Sequence, residues 1–590
     1  MAEKPKFRGM GPTLRRLRRQ ADAVEQAASR HSHRHFFSRL KNLGAIRRDI
    51  VIWLSLLVVL VVAVILQSVL YSGNYQTTGP APGGAYAEGV VGEITSFNPL
   101  YAKTEDEIAI SRLVYAGLLD LDDTNHLRPA AAEGYTVSDD GLNYEVRLRP
   151  GVRWHNSDAV VTADDVVFTA SLIQNPATGS PLYDTWRSVR VEKVDDTTVR
   201  FNLRSPLAVF PQVLTFGILS KSELGEIKPA DLREYLSEHT ARGAGPFTYR
   251  STQVSQSKNK VLSFSANPNY FRGTPQVNSI SIETFASSND LVDGWRSGDV
   301  NVAAGVSMAA AQNIATISQD DLVTTPIDRG IYAIFNTDGP VTGNRAVRQA
   351  LRLAIDRQAV WRAAAVGEEL PPVLDTPIAP GIYDSVDQMS QPVYNQTDAG
   401  KLLDVEGFAM GRDKTRISGD APMKLRIVTV RDSDYVPAAE NLAEQWLAIG
   451  IDAQVTLAEP ENIQQNYLMT RNYDVLVYQL QLGADPDVQA YWHSSGAKAQ
   501  GLNFANYTSP VADLALSRGR SGINREASYR TFVEAWLDDA PAIGLYQSRY
   551  FSLVKPGVVS FGPRTLADKS DRFRDVTDFS VNTTTVYRTP

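Results

Sequence analysis

A short segment around residue 480 contains several side chains that can bind a small molecule. It combines two carboxylates, two amides and two aromatic rings: Asp485, Asp487, Gln479, Gln481, Tyr478 and Trp492. Amides and rings suit an uncharged or peptide-like ligand. Two alternatives stay open. Asp485 and Asp487 flank Pro486 and can simply shape a turn, because Asp and Pro are turn formers, and Trp492 can be a core residue.

The sequence lacks the motifs of the common enzyme and metal sites. It contains no G-x-S-x-G, no H-E-x-x-H and no G-x-x-x-x-G-K-[ST] motif, and it has no cysteine. Beyond residue 48 its histidines are dispersed, without the spacing of a metal site: His126, His155, His239 and His493. We therefore expect neither an enzyme nor a cofactor or metal.

Charge divides the chain into two parts. Residues 1–48 hold 13 Lys and Arg against 3 Asp and Glu, a net charge of +10, and the rest carries −17. Residues 50–70 between them contain no charged residue, and a run of this length can cross a membrane as a helix. A cleaved signal peptide is the alternative, but its apolar region is shorter, about 7 to 15 residues.

The positive-inside rule orients this predicted span. We expect a basic cytoplasmic arm at 1–48, a transmembrane helix at 49–71, a flexible Gly- and Pro-rich tether at 72–84 and an extracytoplasmic body from Ala85. The basic arm resembles a nucleic-acid-binding or His-rich segment, but juxtamembrane Lys and Arg more simply contact anionic headgroups, at about 1 kcal/mol each near the surface. No nucleic-acid partner is predicted.

Alternating hydrophobicity predicts the elements that must position the segment near 480. Residues 425–430 and 451–457 have strand patterns, and residues 437–449 between them have a helical pattern with Leu442, Trp446 and Leu447 inward. This is a βαβ unit, and residues 474–480 predict a further parallel strand. Ligands sit beyond the carboxyl ends of such strands, which places a site just after Leu480.

The first half of the body has a different pattern. Residues 142–148 and 197–203 alternate as half-buried strands, and Thr162 with Asp165 has the spacing of a capping box that opens a helix. These features predict a small α+β unit.

The same segments resemble the oligopeptide/dipeptide/nickel-binding family of ABC-transporter solute-binding proteins. The matching motifs occur in the family's order from about residue 89 to 558: SDDGLNY at 138–144, LRPGVRWH at 148–155, TADDV at 162–166, GAGPF at 243–247, NPNY at 267–270, NRAVRQA at 344–350 and AIDR at 354–357.

The resemblance implies an α/β, periplasmic-binding-protein-like clamp of two lobes with an inserted α+β subdomain, preceded by the transmembrane helix. We map lobe I to 85–117, 241–339 and 542–590, the inserted subdomain to 118–240, and lobe II to 340–541. It also implies a cleft strand that includes Glu93, Thr95 and Phe97. The aspartate that pairs with a peptide's α-ammonium in this family aligns with Leu482, so Asp485 or Asp487 would have to replace it.

The implied function is an extracytoplasmic receptor of an ABC importer that captures a peptide or peptide-like solute by hinge closure. Expected partners are the solute, the permease subunits and the membrane, with the receptor itself a monomer. Two alternatives stay open: a receptor for another solute, such as a metal chelate that brings its own coordination, and a sensory or scaffold protein that signals through its anchor.

Overall fold

The computed structural model describes residues 47–587, apart from 256, 308–309, 311–320, 365–372, 420, 432 and 561–563. Most of the predicted basic arm lies outside these residues. The strands are β1 Gln76–Ala81, β2 Ala85–Val91, β3 Leu119–Leu121, β4 Leu127–Pro129, β5 Ala132–Val137, β6 Asn143–Leu148, β7 Arg190–Lys193, β8 Thr198–Asn202, β9 Phe247–Val254, β10 Lys260–Ala266, β11 Ser279–Phe285, β12 Val302–Ala304, β13 Leu322–Phe335, β14 Ile417–Ser418, β15 Ala421–Pro422, β16 Lys424–Val430, β17 Asp452–Ala458, β18 Val475–Gln481, β19 Ala542–Val554 and β20 Asn582–Tyr587.

The α-helices alternate with these strands along the chain. They are α1 Arg47–Tyr75, α2 Glu105–Val114, α3 Ala163–Gln174, α4 Tyr183–Trp186, α5 Phe210–Val213, α6 Lys221–Leu224, α7 Leu232–Glu238, α8 Ser288–Ser297, α9 Arg345–Leu353, α10 Arg357–Ala364, α11 Asp384–Asp387, α12 Gln396–Val405, α13 Val436–Ala448, α14 Gln489–Trp492, α15 Pro510–Arg520 and α16 Arg525–Asp539.

The chain forms two compact units, of which the smaller comprises Met1–Gly79 and Thr584–Pro590. Its helix α1 includes the predicted span at 49–71 but continues to Tyr75, into the stretch predicted as a flexible tether, and β1 follows within that same stretch. The side chains from Val51 to Leu66 are exposed. Among the residues whose side chains the structure describes, no helix is long and apolar enough to cross a membrane. The transmembrane anchor therefore stays a prediction.

The larger unit, Pro80–Thr583, is built on a ten-stranded mixed sheet. The strand order is β17-β16-β18-β13-β19-β12-β2-β11-β10-β9. The parallel pairs β16/β17 and β16/β18 confirm the predicted βαβ unit and its neighbouring strand. Helix α13 crosses between β16 and β17 with Leu442 and Trp446 buried, but Leu447 is 59% exposed, so the prediction that it points inward was wrong.

Two long antiparallel strands, β13 and β19, connect the two halves of this sheet. Along β13 the core changes between Ile327 and Ile331: Ile327 belongs to the apolar cluster that also contains residues of β2 and of the inserted region, whereas Ile331 belongs to the cluster that also contains residues of α9 and α13. Along β19 the same change occurs between Tyr546 and Tyr550. The register of the pair shifts between Pro326 and Gly330, at the same level of the sheet. Each strand thus passes from one hydrophobic core to another at an irregular point.

The region predicted as an inserted α+β subdomain contains its own four-stranded antiparallel sheet, in the order β5-β6-β8-β7. In β6 the alternate residues Tyr144, Val146 and Leu148 are buried, as the period-two pattern predicts. Helix α3 packs beside this sheet and begins at the predicted capping box, where the Asp165 carboxylate accepts from the Thr162 N–H at 2.9 Å. These local elements confirm the predictions for this stretch, whereas the limits of the lobes and the subdomain stay predictions.

Candidate ligand-binding site

The carboxyl end of β18 pairs with β13 between Ile327 and Ile331, the stretch in which β13 passes from one hydrophobic core to the other. There Arg329 and Gln481 lie directly opposite each other. Arg329 Nε donates to Gln481 Oε1 at 2.7 Å. The Arg329 guanidinium also forms ion pairs with Glu105, at the start of α2, and with Asp568 at 3.4 Å. Only 8% of Arg329 is exposed, and this burial lowers its pKa while Asp568 opposes the shift.

Gln481 joins three segments of the chain through its side chain. Its Nε2 donates to the Asp328 carbonyl at 3.1 Å and to the Ala567 carbonyl, while its Oε1 is occupied by Arg329. The backbone N–H of the next residue, Leu482, also donates to the Asp328 carbonyl, at 2.8 Å. The end of β18 is therefore fixed to β13 and to the C-terminal segment.

Three tyrosines lie close enough to the Arg329 guanidinium to feel its charge: Tyr435, Tyr478 and Tyr491. Burial raises the pKa of each hydroxyl, and the positive charge of Arg329 only partly opposes this. All three are therefore neutral phenols at neutral pH, able both to donate and to accept hydrogen bonds. Tyr435 and Tyr478 contact each other edge to face, with ring centroids 6.4 Å apart.

Further ionisable groups lie at the same junction. Burial lowers the pKa of Lys569, and Arg329 adds to this effect. Burial raises the pKa of Asp328 to about 7, against the effect of a hydrogen bond from Asn125 Nδ2 at 2.9 Å. We call Arg329, Gln481, Tyr435, Tyr478 and Tyr491 the Arg329 junction. It offers phenols, an amide and a shielded cation, which suit hydrogen bonding to a polar ligand rather than covalent chemistry.

The predicted residues of the first-lobe segment lie beside a separate cavity of about 270 Å³. Thr95 and Phe97 line it, whereas Glu93 is exposed to solvent. Thr95 donates through its N–H and its hydroxyl to Glu107 Oε1, at 2.8 and 2.5 Å. Phe97 packs against Tyr249, with ring centroids 5.3 Å apart.

The two aspartates of the predicted loop are held by arginines of α15 and α16. Arg525 Nη2 lies 2.6 Å from Asp485 Oδ1 and 2.7 Å from Oδ2, so both carboxylate oxygens accept from it. Asp487 Oδ2 lies 3.3 Å from Arg520 Nη1. Asp485 Oδ1 also accepts from the Asp487 N–H at 3.0 Å. The structure thus favours the turn-forming interpretation of Asp485-Pro486-Asp487, and neither carboxylate lies among the contacts of the Arg329 junction.

Two of the predicted residues are core residues. Leu482 is 5% exposed and Trp492 is 1% exposed, and both belong to the apolar cluster that underlies α15 and α16. The Trp492 ring packs edge to face on Trp536 at 5.7 Å. This is the alternative left open for Trp492, and Leu482, which aligns with the family's amine-binding aspartate and was predicted as a site residue, packs in the same apolar cluster. Gln479 is half-buried opposite Ile331 in β13.

Of the ten predicted site residues, the structure brings Tyr478 and Gln481 to the Arg329 junction and Thr95 and Phe97 to the cavity. Sequence reasoning missed Arg329, Asp328 and Lys569. One signal was present in the sequence: Asp328-Arg329 interrupts an otherwise uncharged strand. Among the described residues, no group of three or more His, Asp or Glu side chains is placed to hold a metal ion.

Comparison with known proteins identifies the family. Residues 126–502 match the family model described as bacterial extracellular solute-binding proteins, family 5 Middle. The chain is 26% identical over 480 residues to the oligopeptide-binding protein AppA of Bacillus subtilis, covering 79% of this chain and 87% of AppA.

Solved structures share the fold. The substrate-binding protein CtaP of Listeria monocytogenes superposes with a TM-score of 0.73 at 23% identity, covering 85% of this chain and all of CtaP. AppA of Bacillus subtilis, solved with a nonapeptide, gives 0.65 at 23% identity, with 85% of this chain and all of AppA covered. The predicted two-lobed α/β fold is thereby confirmed, and the chain belongs to the family 5 extracellular solute-binding proteins, a family of binding proteins rather than of enzymes.

Proposed function

We propose that this protein is an extracytoplasmic receptor of an ABC importer that captures a peptide or peptide-like solute by hinge closure. The observation that carries the proposal is the change of core along β13 and β19. The two lobes would be joined by β13 and β19, whose pairing shifts register between Pro326 and Gly330. Rotation of one lobe against the other at this point would leave both hydrophobic cores intact. Hinges are a few element positions that absorb such a change.

The Arg329 junction supports a peptide-like ligand. It lies at the crossing point of the strands, where closure would bring solute and both lobes together. Its phenols can bond the N–H and C=O groups of a peptide main chain, which gives affinity without dependence on side chains. Its relatives support the same class of solute, since AppA is named as an oligopeptide-binding protein and was solved with a nonapeptide.

Recognition of the peptide's free amine has no support in this chain. The family position for the amine-binding aspartate holds Leu482, which is buried, and Asp485 is already neutralised by Arg525. We therefore propose that the solute is bound through its main chain and its other polar groups.

Closure can be measured by energy transfer between two engineered cysteines, because the chain has none of its own. Val160 in the predicted inserted subdomain and Leu447 in lobe II are 43% and 59% exposed, so Val160→Cys with Leu447→Cys reports on the two bodies. We expect the efficiency of energy transfer between the two labels to change when peptides that bind the protein are added. The pair Leu447→Cys with Leu514→Cys lies within lobe II and should not change. A solute that binds without altering the first pair would refute the hinge.

The solute class can be tested by calorimetry on residues 85–590 with di- to pentapeptides, sugars, and nickel with histidine. Peptide binding supports the proposal. Binding of the nickel complex alone would instead favour a receptor for a metal chelate, and binding without any effect of permease subunits on solute uptake would favour a sensory role.

The membrane tether is proposed from the sequence, in which residues 50–70 carry no charge and follow a basic arm. We expect the full chain to stay in the membrane fraction after alkaline carbonate extraction and a chain starting at Ala85 to be released. Release of both would contradict the tether.

A further inference from the structure

The cavity beside Thr95 and Phe97 has an unusual lining. Its volume of about 270 Å³ far exceeds the share of about 30 Å³ that one water molecule occupies in the liquid. It lies between the loop 94–103, helix α7 and strands β9 and β10. The loop is fixed by the Glu107 carboxylate, which accepts from the N–H groups of Thr95, Ser96, Lys103 and Thr104. The space is therefore bounded by well-bonded backbone.

The charged residues that line the cavity are all basic. Lys103, Arg233 and Lys260 line it, and the described lining includes no Asp or Glu. None of the three has a carboxylate within ion-pair distance in the described part of the chain. Lys260 Nζ donates to the Ile94 carbonyl at 2.7 Å, which leaves two of its three N–H bonds for another acceptor. The Glu107 carboxylate, which holds the loop, already accepts the bonds described above.

Two neutral donors in the same lining are buried. Tyr101 is 3% exposed and Asn98 is 6% exposed. The Tyr101 hydroxyl has no hydrogen-bond partner among the described residues, whereas the Asn98 side chain interacts with the Tyr115 hydroxyl and lowers its pKa against the effect of burial. The orientation of the Asn98 amide is set because its Oδ1 accepts from the Leu100 N–H at 3.0 Å. A buried donor without a partner destabilises the fold, and an acceptor in the cavity would remove that cost.

Arg233 is placed to complete such a site. Its guanidinium lies over the Tyr101 ring at 4.1 Å from the centroid, and its Nη2 donates to the Gly179 carbonyl at 3.1 Å. A planar guanidinium presents five donors, so others remain for a ligand oxygen.

We propose that this cavity binds an oxyanion, a carboxylate or phosphate group. Three basic side chains and one phenol without a partner line a single space whose described lining holds no carboxylate, and an oxyanion is the ligand that can accept from all of them. The group can belong to a free inorganic anion or to an anionic part of the captured solute. The inference does not depend on the peptide proposal.

Calorimetric titration of residues 85–590 with inorganic phosphate and with acetate, at constant ionic strength in chloride, tests the site without any solute. We expect saturable binding of at least one of the two anions. Lys260→Met keeps the aliphatic stem and should weaken it at least tenfold, and Tyr101→Phe keeps the ring below Arg233 and should weaken it about threefold to tenfold. Lys228→Met, which removes an exposed lysine elsewhere, is the matched control and should have no effect.

A second titration, with peptides bearing a free or an amidated C-terminus, separates the two sources. Saturable binding of the inorganic anion that Lys260→Met weakens supports a free-anion site. A preference for the free carboxylate that Lys260→Met abolishes supports an anionic group of the solute. If neither inorganic anion binds and amidation has no effect, or if Lys260→Met and Tyr101→Phe bind as the wild type does, the proposal is overturned. Failure of all peptides to bind, with phosphate binding intact, would refute the peptide proposal alone.

Discussion

A fully buried ion pair fastens the C-terminal segment to β2, and its removal provides a sharp test of the energetics. Arg572, in the 3₁₀ helix Lys569–Phe573, donates through Nε to Glu88 Oε1 at 2.8 Å, and both side chains are 0% exposed. The other carboxylate oxygen of Glu88 accepts from the Tyr86 hydroxyl at 2.8 Å, and Arg572 also pairs with Asp106 at 2.8 Å.

Arg572→Met leaves the Glu88 charge buried with only one hydrogen bond. Breaking a buried pair in this way costs about 3–5 kcal/mol. For a unit of about 500 residues the unfolding entropy is about 1 kcal/mol/K, so the melting temperature should fall by about 3–5 °C. Glu88→Leu combined with Arg572→Met removes both charges and should recover most of this loss, because an apolar pair of similar volume is often neutral.

The loss should depend on pH through Glu88. Burial raises the pKa of Glu88 above its usual 4.5, and Arg572 opposes this rise. Without Arg572 the pKa rises further. A carboxyl group with a raised folded-state pKa stabilises the fold fully below pH 4.5, and this contribution is lost as the pH rises through the folded pKa. Arg572→Met should therefore be closer to wild type at pH 5 than at pH 7.5.

Urea unfolding followed by tryptophan fluorescence at pH 5 and pH 7.5 measures both effects, since the chain has 8 Trp residues. Equal destabilisation of Arg572→Met at the two pH values would refute the assignment of the cost to the unpaired Glu88 charge. A double variant as unstable as Arg572→Met would refute it independently.

Three further predictions concern the Arg329 junction, the neighbouring Asp328 and recognition of the peptide's amine. Gln481→Leu removes the bonds to Arg329 and to the Asp328 carbonyl, so calorimetry should show at least tenfold weaker solute binding; unchanged affinity would exclude the junction from the site. Burial raises the pKa of Asp328 to about 7. Its contribution to stability is therefore fully present below its usual pKa of 3.8 and is lost as the pH rises through 7. In Asp328→Asn the free energy of unfolding should accordingly change less between pH 6 and 8 than in the wild type. N-acetylation of a bound peptide should change its affinity less than threefold because Leu482 replaces the amine-binding aspartate, and a tenfold loss would contradict this.

Local patterns in the sequence predicted those elements whose stabilising contacts are close in sequence. The capping box at Thr162, the alternation in β6 and the βαβ unit of β16, α13 and β17 each depend on residues within about 35 positions. Leu447 shows the limit of such reasoning. The helical period marks an apolar stripe, but only the packing of α13 on β16 decides which edge of the stripe faces solvent.

The candidate site needs contacts between distant parts of the chain, which no local pattern contains. Arg329 meets Gln481 across 152 residues and Asp568 across 239, and Asp485 is neutralised by an arginine 40 residues later. The sequence pointed to the loop after β18, because the carboxyl end of a parallel strand is a general ligand position. It could not show that the loop's carboxylates are already paired, while an arginine on the antiparallel neighbour β13 lies at the junction. That difference turns the chemistry of the proposed site from a carboxylate for an amine into phenols and an amide around a shielded cation.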